Sequence, residues 1–163
     1  MNNILKETQD TCYLVLRSGP DAVCIDRREG TFPIRVLTLD IGSRRPLGVG
    51  AAGLAILSRL PVDEADRLIA HCGDQLQPYN RLTQESLRIQ VEETRVRGYA
   101  VSGNWVTLGV TGVGVAIDDA NGRPFGALSV SAVNHRMPSE RWPKLAALLR
   151  QAASRIQELT ISP

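Results

Sequence analysis

Three β-patterned runs precede any helix signal, and that order constrains this chain more than any motif in it. The stretch "TCYLVLRS" (residues 11–18) alternates and is rich in β-formers, "GPD" supplies a turn, and "AVCIDRREG" (22–30) alternates again up to a glycine. After the Phe32-Pro33 break, "IRVLTLDI" (34–41) reads as a third strand. Successive strands joined without a helix pair antiparallel, because a parallel partner needs a long crossover. A Rossmann-type order is thereby disfavoured.

Helical periodicity then takes over. "VGAAGLAILSRL" (49–60) suits a short buried helix carrying Leu54, Leu57 and Leu60, and Pro61 interrupts it. "VDEADRLIAHCG" opens with acidic residues and places Val62, Ala65, Leu68, Ile69 and Cys72 on one face before Gly73. "GDQLQPYNRL" is a loop, Thr83 is a good N-cap, and "QESLRIQVEETRVRG" presents Leu87, Val91 and Thr94 and ends at Gly98. Glu93 and Arg97 form an i, i+4 surface pair.

The β pattern returns in "YAVS", in "LGVTGVGVAID" (108–118) and in "FGALSVSAV" (125–133), with "DANGRP" as the intervening turn. A closing helix is predicted from Ser139 to Leu159, its core stripe being Trp142, Leu145, Leu149, Ala152, Ile156 and Leu159. The order β-β-β, α-α-α, β-β-β, α predicts an α+β domain, one antiparallel sheet with helices packed on it.

Composition excludes several classes. At 163 residues, with 43% hydrophobic and 22% charged residues, the chain has the length and makeup of one globular domain. It contains no apolar run long enough for a membrane span, and "MNNILKETQD" is not a secretion signal. Three cysteines, Cys12, Cys24 and Cys72, lack C-x-x-C spacing, so they read as small hydrophobes in a reducing cytoplasm. The net charge of +2 comes from scattered residues, which argues against direct nucleic-acid binding. The two histidines, His71 and His135, provide too little for a zinc site or a triad: His71 reads as a helix-end residue and His135 as solvated. Asp118-Asp119 beside Asn121-Gly122 reads as a turn cluster, not as catalytic carboxylates. No hydrolase elbow, zincin or P-loop pattern is present, so binding without turnover is expected, with no cofactor.

One motif pulls the other way. Gly48-Val49-Gly50-Ala51-Ala52-Gly53 is a literal G-x-G-x-x-G. A dinucleotide loop needs its first glycine at the end of a strand inside a βαβ unit, and here "GSRRP" separates the third predicted strand from Gly48. The loop still leads into a helix through small residues, so its N–H groups could take a carboxylate or phosphate; close packing of the helix on the sheet is the alternative. Ser129 and Ser131, two apart on a strand, face one side and could line a polar pocket or a solvated face. Gly112 and Gly114 strip side chains from one face of the neighbouring strand and make room for a ligand.

The segments "RSGPDAVCIDRREGTFPIRVLTLDIGSRRPLGVGAAGLAILSRLP", "ETRVRGYAVS" and "LGVTGVGVAIDDANGRPFGALSVSAV", followed by an amphipathic helix, resemble the C-terminal effector-binding domain of IclR-type bacterial transcriptional regulators, from about Leu5 to about Leu159. The resemblance implies a GAF-like (profilin-like) curved antiparallel sheet flanked by helices, with a small-molecule pocket between sheet and helices. It implies a small carboxylate effector held by the backbone N–H groups of Gly50, Ala51 and Ala52, by Ser129 and Ser131, and by the positions of Val110 and Gly112. Where relatives often have an acidic residue after "G-Y", this chain has Ser102 and Gly103, and Trp105 stands where a glutamate is frequent. A roomier pocket for a bulkier or aromatic acid, with Trp105 as wall or lid, is the resulting expectation.

Regulators of this type carry an N-terminal winged helix-turn-helix that binds DNA and assemble as dimers or tetramers. In this chain residues 1–10 resemble the end of the linker helix and 11–160 the sensor domain, with no DNA reader; an excised domain or a natural protein without the reader is expected. Two other classes stay open at this level: a GAF-like sensor from another signalling protein, and a redox enzyme acting through the glycine loop or a cysteine.

Overall fold

The computed structural model describes residues 1–79 and 81–161. Helix α1 (Asn2–Thr8) leads into the hairpin β1 (Thr11–Ser18) and β2 (Asp21–Arg28), and a short β3 (Arg44–Pro46) follows. Three helices come next: α2 (Gly50–Arg59), α3 (Val62–His71) and α4 (Gln84–Arg97). Then β4 (Ala100–Gly103), β5 (Val110–Asp118) and β6 (Pro124–Val133) lead to α5 (Trp142–Ile161). The six strands form one curled sheet in the order β3-β2-β1-β6-β5-β4, antiparallel at every pairing.

Local chemistry sets most boundaries where the sequence predicts them. The β1–β2 turn is the pair Gly19-Pro20, with Gly19 at φ +60°. The Thr83 hydroxyl accepts from the Ser86 N–H while the Ser86 hydroxyl accepts from the Thr83 N–H, which closes a capping box on α4, and Gly98 ends the helix at φ +85°. Asp119 uses one carboxylate oxygen to accept from the N–H groups of Asn121 and Arg123, confirming it as a turn residue. The three cysteines are free and buried.

The sheet divides two cores, because successive strand residues face opposite sides. Cys12, Val113, Val115, Leu128 and Val130 face α5. Tyr13, Val15, Ala127 and the serines at 129 and 131 face the other layer, where α2 lies on the sheet with Leu54, Ile56 and Leu57 fully buried and α4 packed behind it.

Four expectations change. Residues 34–41 form no strand: they run as an irregular strap held over Tyr13, and the place beside β2 is taken by Arg44–Pro46. The strap is held by a side chain. Tyr13 donates its hydroxyl proton to the Val36 carbonyl at 2.5 Å and accepts from the Thr38 N–H at 3.2 Å. Val36 is buried, whereas Ile34, Leu37 and Ile41 are exposed, so the alternation that suggested a strand is only partly a burial pattern. Val62 and Leu159 are exposed rather than part of their helices' core stripes, each lying at a helix end beyond the packed layer. The closing helix starts at Trp142 after a 3-10 turn at Ser139–Arg141, with Pro143 in its first turn, where a missing N–H is harmless. The predicted loop at 73–82 contains a 3-10 turn, Gly73–Leu76, and includes residue 80, which lies outside the described residues.

Candidate functional site

The site is built around the start of α2. Gly48 has φ +100°, and a Cβ there would lie 2.8 Å from Leu87 Cδ1, so this turn accepts no side chain. Val49 occupies the N-cap in extended conformation and offers no capping side chain. The first N–H groups of the helix, at Gly50, Ala51 and Ala52, therefore face outward with the positive end of the helix dipole behind them.

Two small adjoining chambers lie in front of them. One, of about 30 Å³, is lined by Thr38, Arg45, Gly50, Ala51, Ser102, Val106, Thr107, Val110, Gly112 and Ser131. The other, of about 40 Å³, shares Thr38, Arg45, Gly50, Ala51 and Ser131 and adds Ala52 and Ser129, with Tyr13 and Leu39. Eight of the nine residues expected at the site are thus brought together across β4, β5, β6 and the start of α2.

Trp105 is the exception. It is half-buried against the main core, and the chamber wall is made by its neighbours Val106 and Thr107. The expected extra room is also missing: each chamber holds about two to four water-sized groups, taking about 10–15 Å³ for one. At Gly112 a Cβ would come within 3.0 Å of the Ser131 hydroxyl and 3.1 Å of the Ala51 methyl, so the absent side chain only just clears the space. At Gly114 the space is taken by the helix, whose Ala51 carbonyl oxygen lies 2.6 Å from where a Cβ would be. Gly114 therefore serves helix packing, not a ligand.

The residue that sequence reasoning missed is Arg45. Its guanidinium donates to the Thr38 carbonyl, lies 5.9 Å from the centroid of the Tyr79 ring and stands about 4.0 Å from the Cβ position of Gly50. A fixed positive charge and an uncapped helix start thus converge on chambers edged by the hydroxyls of Ser129, Ser131, Ser102 and Thr38. Among the described residues no acidic side chain lines either chamber. This arrangement suits a small anion. Burial keeps the Tyr13 phenol neutral by pushing its pKa above the ordinary value, against the opposing effect of its hydrogen bond with Thr38.

Larger hollows of about 600 and 580 Å³ flank α1 along α5, but they are surface grooves whose lining includes solvent-facing Lys144, Gln151 and Arg155.

A dinucleotide loop is excluded by topology. β3 ends only two residues before Gly48, so the glycines do follow a strand directly, contrary to the predicted separation. That strand is an antiparallel edge, and α2 leads to another helix, so no parallel βαβ unit exists here.

The family model described as the bacterial transcriptional regulator IclR C-terminal domain matches residues 1–158. The chain belongs to this family. The transcriptional repressor IclR of Escherichia coli (strain K12) is 27% identical over 161 residues, covering 96% of this chain and 58% of that protein. The acetate operon repressor of Salmonella typhimurium is 29% identical over 161 residues, with the same coverage of 96% and 58%. Among solved structures, the Thermotoga maritima IclR superposes with a TM-score of 0.86 at 29% identity, over 96% of this chain and 64% of that one. This IclR-type regulatory domain thus spans about three fifths of the length of the curated relatives it matches. No described helix is long and apolar enough to cross a membrane.

Proposed function

We propose that this domain senses a small carboxylate, of two or three carbons, and that occupancy shifts the arrangement of a full-length, cytoplasmic, oligomeric regulator and with it the affinity for DNA. DNA would be read by a winged helix-turn-helix outside residues 1–163, and the domain would bind its effector without converting it. The observation that supports this reading is the convergence of the Arg45 guanidinium and the uncapped N–H groups of Gly50–Ala52 on two small adjoining chambers of about 30 and 40 Å³. The hydroxyls of Ser129 and Ser131 stand opposite and complete the acceptor and donor set a hydroxy or oxo acid needs. Val110, Gly112 and Ser102 complete the lining with Val106 and Thr107, and Trp105 packs against the core outside it.

A thermal-shift screen tests it, since a ligand that binds only the folded form raises the midpoint. Two- and three-carbon oxo and hydroxy acids should raise it, benzoate should not, and Arg45→Met or Ala52→Asp should abolish the rise. A midpoint unmoved by every such acid, or moved equally in Arg45→Met, overturns the proposal.

A further inference from the structure

The face of β5 that meets α2 carries Val110, Gly112, Gly114 and Ala116 in alternation, and the helix touches the strand most closely at Gly114. A hollow opens on each side of that contact. The one at Gly112 is described above; the one at Ala116 is a cavity of about 340 Å³ between the C-terminal ends of α2 and α4 and the β4–β5 edge. Its size lies in the range of small-molecule sites, about 300–1,000 Å³.

Its walls are short apolar groups. Ala55 and Ala100 are buried, Ala116 is half-buried, and the Gly98–Tyr99 turn closes one end, while the Tyr99 ring itself packs on the α5 side of the sheet beside the Arg97 and Arg150 guanidiniums at 5.6 and 5.8 Å. The charges and helix-end carbonyls around it are already partnered. Arg95 donates to the Ser58 and Leu60 carbonyls, both at 3.1 Å, and to Glu92 at 2.6 Å. Arg59 pairs with Asp118 at 2.5 Å, Arg150 donates to the Gly98 carbonyl at 2.7 Å, and the Ser58 hydroxyl turns back to the Leu54 carbonyl at 2.7 Å. What remains is the hydroxyl of Thr94, a residue 5% exposed that lines the cavity and whose side chain bonds to none of the described residues.

We propose that this cavity is a second ligand site, for an uncharged aromatic or branched aliphatic molecule with one hydroxyl or N–H that meets Thr94. An ionic guest finds no unpaired countercharge here, and two helix C-termini converge on the space, which disfavours an anion. Because α2 lines this cavity with Ala55, Ser58 and Arg59 and the other site with its first turn, a guest here reaches the carboxylate chambers through one rigid helix.

The test is an amide-resolved NMR titration of the folded domain with phenol, indole and benzoate. Phenol and indole should give saturable shifts at Ser58, Thr94, Ala100 and Ala116, with benzoate at least tenfold weaker. Ala116→Leu, at a half-exposed strand position, should weaken phenol binding tenfold or more, and the near-isosteric Thr94→Val should weaken it about fivefold while leaving toluene unaffected. No saturable shift, an affinity unchanged in Ala116→Leu, or benzoate binding as well as phenol would overturn the proposal. Shifts centred on Gly50–Ala52 instead would assign the uncharged guest to the first site and equally reject this one. The carboxylate reading is unaffected by any of these outcomes.

Discussion

A Cβ on Gly114 would stand 2.6 Å from the carbonyl oxygen of Ala51 and 3.1 Å from the nitrogen of Ala52, so strand β5 and the first turn of α2 meet backbone to backbone. That contact sets where the free N–H groups of the helix point.

Gly114→Ala should therefore act on stability and binding together. The methyl meets backbone, which cannot rotate away, and forcing extra volume into such a contact costs about 1–3 kcal/mol. Urea unfolding should report a lower midpoint with an unchanged slope, and affinity for the carboxylate should fall more than tenfold. A variant as stable as the parent would mean that the helix is free to lift.

Gly112→Ala probes the same strand one pleat away and should differ. Its methyl would meet the Ser131 hydroxyl at 3.0 Å, which can rotate away, and the Ala51 methyl at 3.1 Å, which can give only by a small shift of the helix. Stability should fall by about 1 kcal/mol, the low end for extra volume at a buried position, because one of the two contacts can rotate away. The effector chamber should shrink, so calorimetry should show the largest carboxylate that binds losing affinity first.

The contrast between these two glycines also shows what was legible in the sequence. Their alternation with Val113 and Val115 announced a strand face without side chains, and the N-cap at Thr83, the stop at Gly98 and the Asn121-Gly122 turn were all read from local chemistry. What the alternation could not announce was the occupant: helix backbone at Gly114, the Ser131 hydroxyl and the Ala51 methyl at the chamber edge at Gly112. The strap at 34–41 misled for a related reason. Its β-like composition is real, but its anchor is the Tyr13 hydroxyl, 23 residues away from Val36 in sequence, and no period-two pattern encodes a side-chain-to-backbone bond. Arg45 was hidden because one arginine in "RRP" looks like the other; Arg44 pairs with Asp21 at the surface, while Arg45 turns to the chambers. Only the antiparallel pairing of β3 with β2 separates them.

Tyr13→Phe should release the strap. Two hydrogen bonds are lost, to the Val36 carbonyl and from the Thr38 N–H, and the expected loss is about 1–2 kcal/mol in unfolding free energy. The sharper readout is amide exchange: Thr38 should exchange much faster than in the parent, while Leu54 and Ile56 stay protected. Equal protection at Thr38 would show that Arg45 and Arg27, which bonds the Leu39 carbonyl and Asp40, retain the strap without Tyr13.

Alkaline pH should weaken the fold before any acid effect appears in these groups. Burial pushes the Cys12 thiol up to about 12, against the lowering effect of the N-terminal amino group, and burial likewise raises Cys24, Cys72 and Tyr13 above their ordinary values. Raised values mean that the folded form keeps protons that the unfolded chain releases. Their contribution is complete below the unfolded cysteine value of 9.0 and falls as pH rises through about 12. Urea midpoints at pH 8, 9, 10 and 11 should fall progressively above 9, and the fall should be shallower in Cys12→Ala. A midpoint flat to pH 11 would contradict the burial argument, as would rapid reaction of all three native thiols with a disulfide reagent at pH 8.

A strong electrostatic dependence should lie at Asp10, whose side chain is 2% exposed, accepts a hydrogen bond from Arg136 at 2.9 Å and forms an ion pair with Arg141 at 2.8 Å. Both arginines also donate to the Thr8 carbonyl, at 3.1 and 3.3 Å, so the pair fastens the end of α1 to the β6–α5 connection. Removing the carboxylate leaves two guanidiniums facing each other with no countercharge. Asp10→Ala should therefore cost about 3–5 kcal/mol, far more than an exposed ion pair of about 0–1 kcal/mol. Asp10→Asn keeps the shape and an acceptor but not the charge, and should recover only part of that loss. Because the carboxylate is shielded from solvent, raising salt from 0.1 to about 1 M should change the difference between parent and variant little, whereas screening would erase a surface pair. If the Asp10→Ala penalty vanished in high salt, the clasp would have to be counted as a surface interaction and α1 as loosely attached.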